Sequence, residues 1–289
     1  MVESIRRFLT REELTEKAFG RLAGSALAGL WVAGDLSALA APTIAIVGTR
    51  APSDDGRRLA HQFAADLGTA GVCIISGLAL GVDAAAHTGA LAAGAPTIGV
   101  LGGGHERFFP PRNAELARRI VAGGGAVLSP YPPEHPAFPW QFLARNGIVA
   151  ALADGVVVVE AAARSGALNT ASWAADRAIP VMAVPGDVGR PKVAGCLTLI
   201  REGATLVRDA ADVLAQLGIA PPARARDPDR IPADPADARI LQALDAGPAA
   251  PEALVAATDL PPALALARIG DLLASGTIVA FPDGRYRRA

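Results

Sequence analysis

Four stretches of the sequence hold residues whose types and spacing could do chemistry. In "TIAIVGTRAPSDDG" an apolar run ends at Gly48, Thr49 and Arg50. Free backbone N–H groups, a hydroxyl and a guanidinium together suit a phosphate. The plainer alternative is that Arg50 is a surface arginine paired with Asp54 or Asp55. In "SGLALGVDAAAH" (76–87) an apolar run again turns through glycines into a helix, yet the stretch carries no lysine or arginine. It is neither the spaced dinucleotide fingerprint nor a Walker loop, and glycines also serve tight turns and close helix packing. Asp83 and His87 lie four apart on one helix face. A helix-start carboxylate with a stabilising partner is favoured over an acid/base pair, and Ser76 with these two lacks the elbow of a nucleophile triad. In "GGGHERFFPPRNAEL" (102–116) three glycines permit close approach of a ligand, and Asn113 suits a helix cap. The fourth, "FPWQFLARNGIVAALADGVVVVEAAARSGALNTA" (138–171), is the richest. Here Arg145 and Asn146 are expected to open a helix behind Phe138, Trp140 and Phe142. Aromatics beside an arginine and an asparagine suit a single-stranded nucleic acid, with core packing as the alternative for the rings. Arg164-Ser165-Gly166-Ala-Leu-Asn-Thr170 then leads into a helix whose free N–H groups could hold another phosphate.

The elements that must position these residues follow a regular pattern. Strands are expected over 43–48, 72–77, 96–104, 126–132, 155–162 and 180–186. Helices are expected over 56–71, 82–94, 113–125, 144–153 and 167–179. Strands alternate with helices, and the strands are continuous apolar runs, which predicts a parallel sheet covered on both faces. Such doubly wound sheets bind ligands at the carboxyl ends of their strands. One crevice could gather Gly48–Arg50, Ser76 and Gly77, Gly102–Gly104, Glu160, and Pro185–Gly186. Residues 1–41 read as a short helical lead-in and 42–218 as the Rossmann-like α/β domain. Residues 219–235, rich in proline, alanine and charge, read as a linker. In 236–289, three short helices precede a hairpin with Asp-Gly at its turn, which suggests a small winged helix-turn-helix.

Bulk properties narrow the field. The 289 residues suit one large domain and one small one, and the formal net charge is −1. Binding to nucleic acid must therefore come from a local patch. Two cysteines are too few for a disulfide framework, and Cys73 reads as a small buried hydrophobe. The histidine spacing predicts no metal site. The apolar stretch Leu22–Gly34 is too short to span a bilayer, and the segment before it holds Glu3, Glu12, Glu13 and Glu16, unlike a signal peptide. A cytoplasmic protein with no membrane contact and no cofactor is expected.

Taken together, "AIVGTRAPS", "ISGLALGVDAAAH", "TIGVLGGG", "LSPYPP", "DGVVVVEAAARSGALNTA" and "VPGDV…GC..LIREGATLV" resemble the DNA-processing protein A (DprA/Smf) family, in order over roughly residues 30–212. The resemblance implies an extended Rossmann-like domain, homodimers, and a non-enzymatic protein. Such a protein binds single-stranded DNA, protects it from nucleases and loads RecA onto it in natural transformation and recombination. It also implies that Gly48, Thr49 and Arg50 hold a phosphate, with Ser76 and Gly77 in the same pocket. Phe142, Arg145 and Asn146 would lie along the DNA path, and Ser165 and Gly166 would line the adjoining wall. The chain departs from the family pattern at Leu80 and Gly147, where basic residues are usual, at Ala144, at Pro130, usually glutamate, and at Asn169, usually isoleucine. Fewer cations predict weaker binding than a basic relative shows at the same ionic strength. The competing reading is a nucleotide-binding sensor, or a nucleoside-monophosphate phosphoribohydrolase using Glu160 and Arg164, although the Pro-Gly-Gly-x-Gly-Thr loop of those hydrolases is absent.

Overall fold

The structure, a computed structural model, describes residues 6–17, 21–22, 27–219, 235–245, 247–274, 277–281 and 284–288. The chain divides into two compact units, one up to residue 222 and one from 223 onward. No helix among the described residues is long and apolar enough to cross a membrane.

The first unit is built on a nine-stranded sheet. Its elements in chain order are β1 (Arg6–Thr10), α1 (Arg11–Lys17), β2 (Gly29–Gly34), β3 (Thr43–Gly48), α2 (Asp54–Thr69), β4 (Cys73–Ser76), α3 (Val82–Ala92), β5 (Thr97–Val100), α4 (Ala114–Ala122), β6 (Ala126–Ser129), α5 (Pro139–Ala151), β7 (Gly155–Val159), α6 (Gly166–Ala175), β8 (Val181–Ala183), α7 (Ala194–Arg201), β9 (Thr205–Leu206) and α8 (Ala210–Gln216). The sheet order is β1-β2-β6-β5-β4-β3-β7-β8-β9. The seven strands from β6 to β9 pair in parallel, and β2 joins β6 antiparallel. The mostly parallel α/β sheet is the expected one, and its strands are buried on both faces because their neighbouring residues point into opposite cores. Ile44 and Ile46 pack with Phe63, Leu67 and Ala86 of α2 and α3. Ala45 and Val47 pack with Ile148 and Val149 of α5, with Leu152 just after it, and with Ala167 and Ala171 of α6.

The expected helical lead-in holds α1, but β1 and β2 on either side of it are strands. They contribute a strand pair to the sheet edge, with Phe8 packed on Trp31 at 5.5 Å and Leu9 and Leu30 buried. Five residues of "RRFLT" carry too short a period to show a strand in sequence; the pairing partner supplies the order. Helix α5 also begins earlier than expected. Pro139 takes its first position, and the side chain of Gln141 accepts from the Phe138 amide at 2.8 Å. Both are helix-start signals, so the aromatics belong to the helix rather than preceding it.

The second unit holds α9 (Pro235–Asp245), α10 (Pro251–Ala256), α11 (Pro262–Ala274), β10 (Ile278–Ala280) and β11 (Tyr286–Arg288), the two strands pairing antiparallel. Ile240, Leu244, Leu254, Ile269 and Ile278 form its core. The linker expected over 219–235 lies outside the described residues except at its two ends, and Asp283 of the expected turn lies outside them too.

Candidate functional site

From β3 the chain winds through β4, β5 and β6 to one side, then returns to lay β7 on the other side of β3. This reversal leaves a crevice at the carboxyl ends of β3, β4 and β7. It holds a cavity of about 490 Å³, lined by Gly48, Thr49, Arg50, Gly77, Asp83, Phe142, Arg145, Asn146, Arg164, Ser165, Gly166 and Thr170, among others. Nine of the ten residues expected at the site are brought together here. Gly102–Gly104, Glu160 and Pro185–Gly186, expected in the same crevice, are not among its lining residues.

The turn after β3 is braced by its own backbone. The Thr49 amide donates to the Glu160 carbonyl at 2.8 Å, and the Thr49 carbonyl accepts from the Val82 amide at 3.2 Å. Gly81, at φ +85°, lets the next turn pass so close that a Cβ there would meet Arg50 backbone atoms at 2.7 Å. The result presents Arg50 outward, exposed, with no carboxylate among the described residues in ion-pair range; Asp55 pairs with Arg58 instead. Its guanidinium lies 5.4 Å over the Phe142 ring.

Arg145 is the cation of the floor. It sits in mid-helix and is only 3% exposed. Its Nη1 donates to the Val100 carbonyl at 2.7 Å, and its Nε has no partner. The guanidinium lies against Gly77, where a Cβ would collide with Nη1 and Nη2, so any side chain at 77 would have to displace the guanidinium. Burial holds Arg145 down at about 10, with the Asp83 charge pulling the other way. It is therefore still a cation at neutral pH. Asp83 accepts from the amides of Gly77 at 3.1 Å and Ala79 at 3.3 Å. Burial raises its carboxyl against the opposing effects of Arg145 and these amides. The cavity thus sees three arginines, Arg50, Arg145 and Arg164, against one carboxylate. Ser165 caps α6, accepting from the Ala167 amide at 3.1 Å, so the positive end of that helix also opens at the cavity wall.

Three expected residues behave differently from the sequence reading. Ser76 is fully buried and its hydroxyl donates to the Ile46 carbonyl at 2.6 Å, below the cavity floor. A β-strand residue facing the sheet interior cannot also face a ligand, so the hydroxyl expected in the pocket stitches β4 to β3. Asn146 donates to the Gly166 carbonyl at 3.0 Å and to Asn169 Oδ1 at 3.3 Å, tying α5 to α6. Asn169, the departure from the family's isoleucine, is thereby given a partner. Glu160 accepts from the Ser53 amide at 2.8 Å and from the Ser53 hydroxyl, fixing the start of α2. Asp83 and His87 each have their own partners: His87 Nδ1 meets the Thr97 hydroxyl at 2.8 Å. Arg164, the head of the phosphate motif in the sequence but not placed with the single-strand site residues, also lines the cavity.

A crevice at the switch point of a doubly wound sheet, walled by arginines and a helix N-terminus, gives an α/β protein a cavity whose charge suits an anion. The sequence profile described as "DNA recombination-mediator protein A" matches residues 21–218, and the chain belongs to that family. Protein Smf of Escherichia coli K12 is 43% identical over 188 residues, 65% of this chain and 50% of that one. The X-ray structure of DNA processing protein A from Streptococcus pneumoniae superposes with a TM-score of 0.67 at 36% identity, covering 73% of this chain and 74% of that one. A Helicobacter pylori relative, whose structure is described as showing a single-stranded DNA binding mode, superposes with a TM-score of 0.65 at 27% identity, covering 75% and 97%. The chain spans about half the length of the Escherichia coli relative.

Proposed function

We propose that this protein binds single-stranded DNA as a recombination mediator, protecting the strand and handing it to RecA, and that it does so without turnover. The observation that carries this reading is the arginine-walled cavity at the switch point, open to solvent through Arg50 and Arg164. A phosphate of the strand would sit between Arg50 and the start of α6, with Arg145 supplying positive field from the floor. Family membership and the description of the Helicobacter pylori relative support the same reading. The phosphoribohydrolase alternative loses support, because Glu160 is engaged with Ser53 and does not line the cavity. Homodimers, the division into 42–218, a 219–235 linker and a winged-helix domain at 236–289, and a cytoplasmic place belong to the same proposal. The test is a salt series of single-strand affinity for Arg50→Ala. Loss of one phosphate contact makes the log–log slope shallower by about 0.7; an unchanged affinity and slope would remove Arg50 from the interface.

A further inference from the structure

We propose that Trp140 is a base-stacking platform beside the cavity, where the strand leaves the phosphate site over the first turn of α5. This rests on the reading of the cavity as a single-strand site. Phe142, the ring nearest the arginines, is poorly placed to stack a base. Arg50 lies over it, Phe109 packs at 5.7 Å, and Gly102 approaches so closely that a Cβ there would stand 2.7 Å from Cδ1. Trp140 is the opposite case, 62% exposed on the same helix.

An exposed tryptophan alone would mean little. This one is held. Its ring meets Tyr131 edge-on at 6.4 Å and 88°, and Tyr131 stacks on His135 at 4.8 Å. His135 Nε2 accepts from the fully buried Gln141 at 2.7 Å, and the same carboxamide fixes the start of α5. A rigid, exposed indole loses little entropy when a flat ring stacks on it. The occupant follows from position. Pro139 and Leu143, either side of Trp140 in sequence, line the cavity, so the platform is continuous with a site whose charge suits a polyanion. A chain of phosphates held at the arginines carries bases that need an aromatic surface just outside.

Affinity of the full chain for oligo-dT, measured across a salt series, tests this with Trp140→Ala, Trp140→Phe and Arg50→Ala. Trp140→Ala should weaken binding roughly tenfold at every salt concentration with the log–log slope unchanged, because a stack is lost and no phosphate contact is. Trp140→Phe should keep most of the affinity, while the share of tryptophan quenching that Trp140 is expected to contribute on binding, over that of Trp31 and Trp173, is lost. If Trp140→Ala binds as the unmutated protein does while Arg50→Ala is weakened, the platform is wrong and the cavity reading stands. A Trp140→Ala change in solution mass without a change in affinity would also overturn it, assigning the ring to a protein contact. If the unmutated protein ignores oligo-dT at low salt, both readings fall.

Discussion

His87 shows how a residue that looks reactive in sequence is made inert by its surroundings. The Thr97 hydroxyl donates to the Ile74 carbonyl at 2.6 Å, so its oxygen must accept from His87 Nδ1–H. Nε2 is buried without a partner, and a proton placed there would be a charge with nothing to receive it. Burial, with the Arg145 charge adding to it, pushes the ring down to about 3 from 6.5. The unfolded chain takes up a proton below pH 6.5 and the native state does not. Stability therefore falls as pH drops from 6.5 toward 3, by at most ~1.4 kcal/mol per unit from this group. Unfolding free energies at pH 7 and pH 5 should differ by roughly 2 kcal/mol more in the unmutated protein than in His87→Leu; parallel profiles would contradict the assignment. The thiols are equally quiet, burial pushing Cys73 up to about 12 and Cys196 to about 11.

At the scale of elements, the turn between β4 and α3 carries the informative departure. Asn113 donates to the carbonyls of Leu78 and Ala79 at 2.9 and 3.0 Å, and Leu78 is buried at φ +55°. This pins the turn so that Ala79 reaches the cavity while Leu80 stands beside it, half-buried. A lysine there can extend toward the mouth, so Leu80→Lys should tighten single-strand binding and steepen its log–log salt slope by about 0.7. No gain would mean that the side chain points away from the strand. Much of this was legible in sequence, for a physical reason. Parallel strands such as "TIAIVG" and "GVVVV" are buried on both faces and show it in every residue, and a glycine turn directly after a strand marks the ligand end. What was illegible depended on partners distant along the chain. Nothing local in "RRFLT" announces an edge strand, and Asn113 stands at the N-cap position of α4 as expected, yet its side chain clamps the β4–α3 turn instead of capping. Residue types mark Arg145 and Ser76 as site residues, but burial depth is a tertiary property, so neither the depth of Arg145 in the cavity floor nor the absence of Ser76 from the lining is legible.

For the whole molecule, a formal charge of −1 gives no general attraction to nucleic acid. Affinity has to come from the local cation cluster, and partial burial strengthens that field. In the second unit several arginines are paired with carboxylates of the same unit. Arg288 pairs with Asp245 at 2.8 Å and Arg268 with Asp237, while Leu264 and Leu266 of α11 are exposed. The central claim is therefore that the switch-point cavity of the first unit takes a strand rather than a free nucleotide. The most direct measurement is competition for the unmutated full chain between oligo-dT and thymidine monophosphate at low salt, followed by the salt dependence of the oligonucleotide alone. The account predicts that the oligonucleotide binds, that the mononucleotide displaces it only in large excess, and that raising the salt releases the strand. Tight binding or cleavage of the mononucleotide, with no binding of the oligonucleotide, would contradict it.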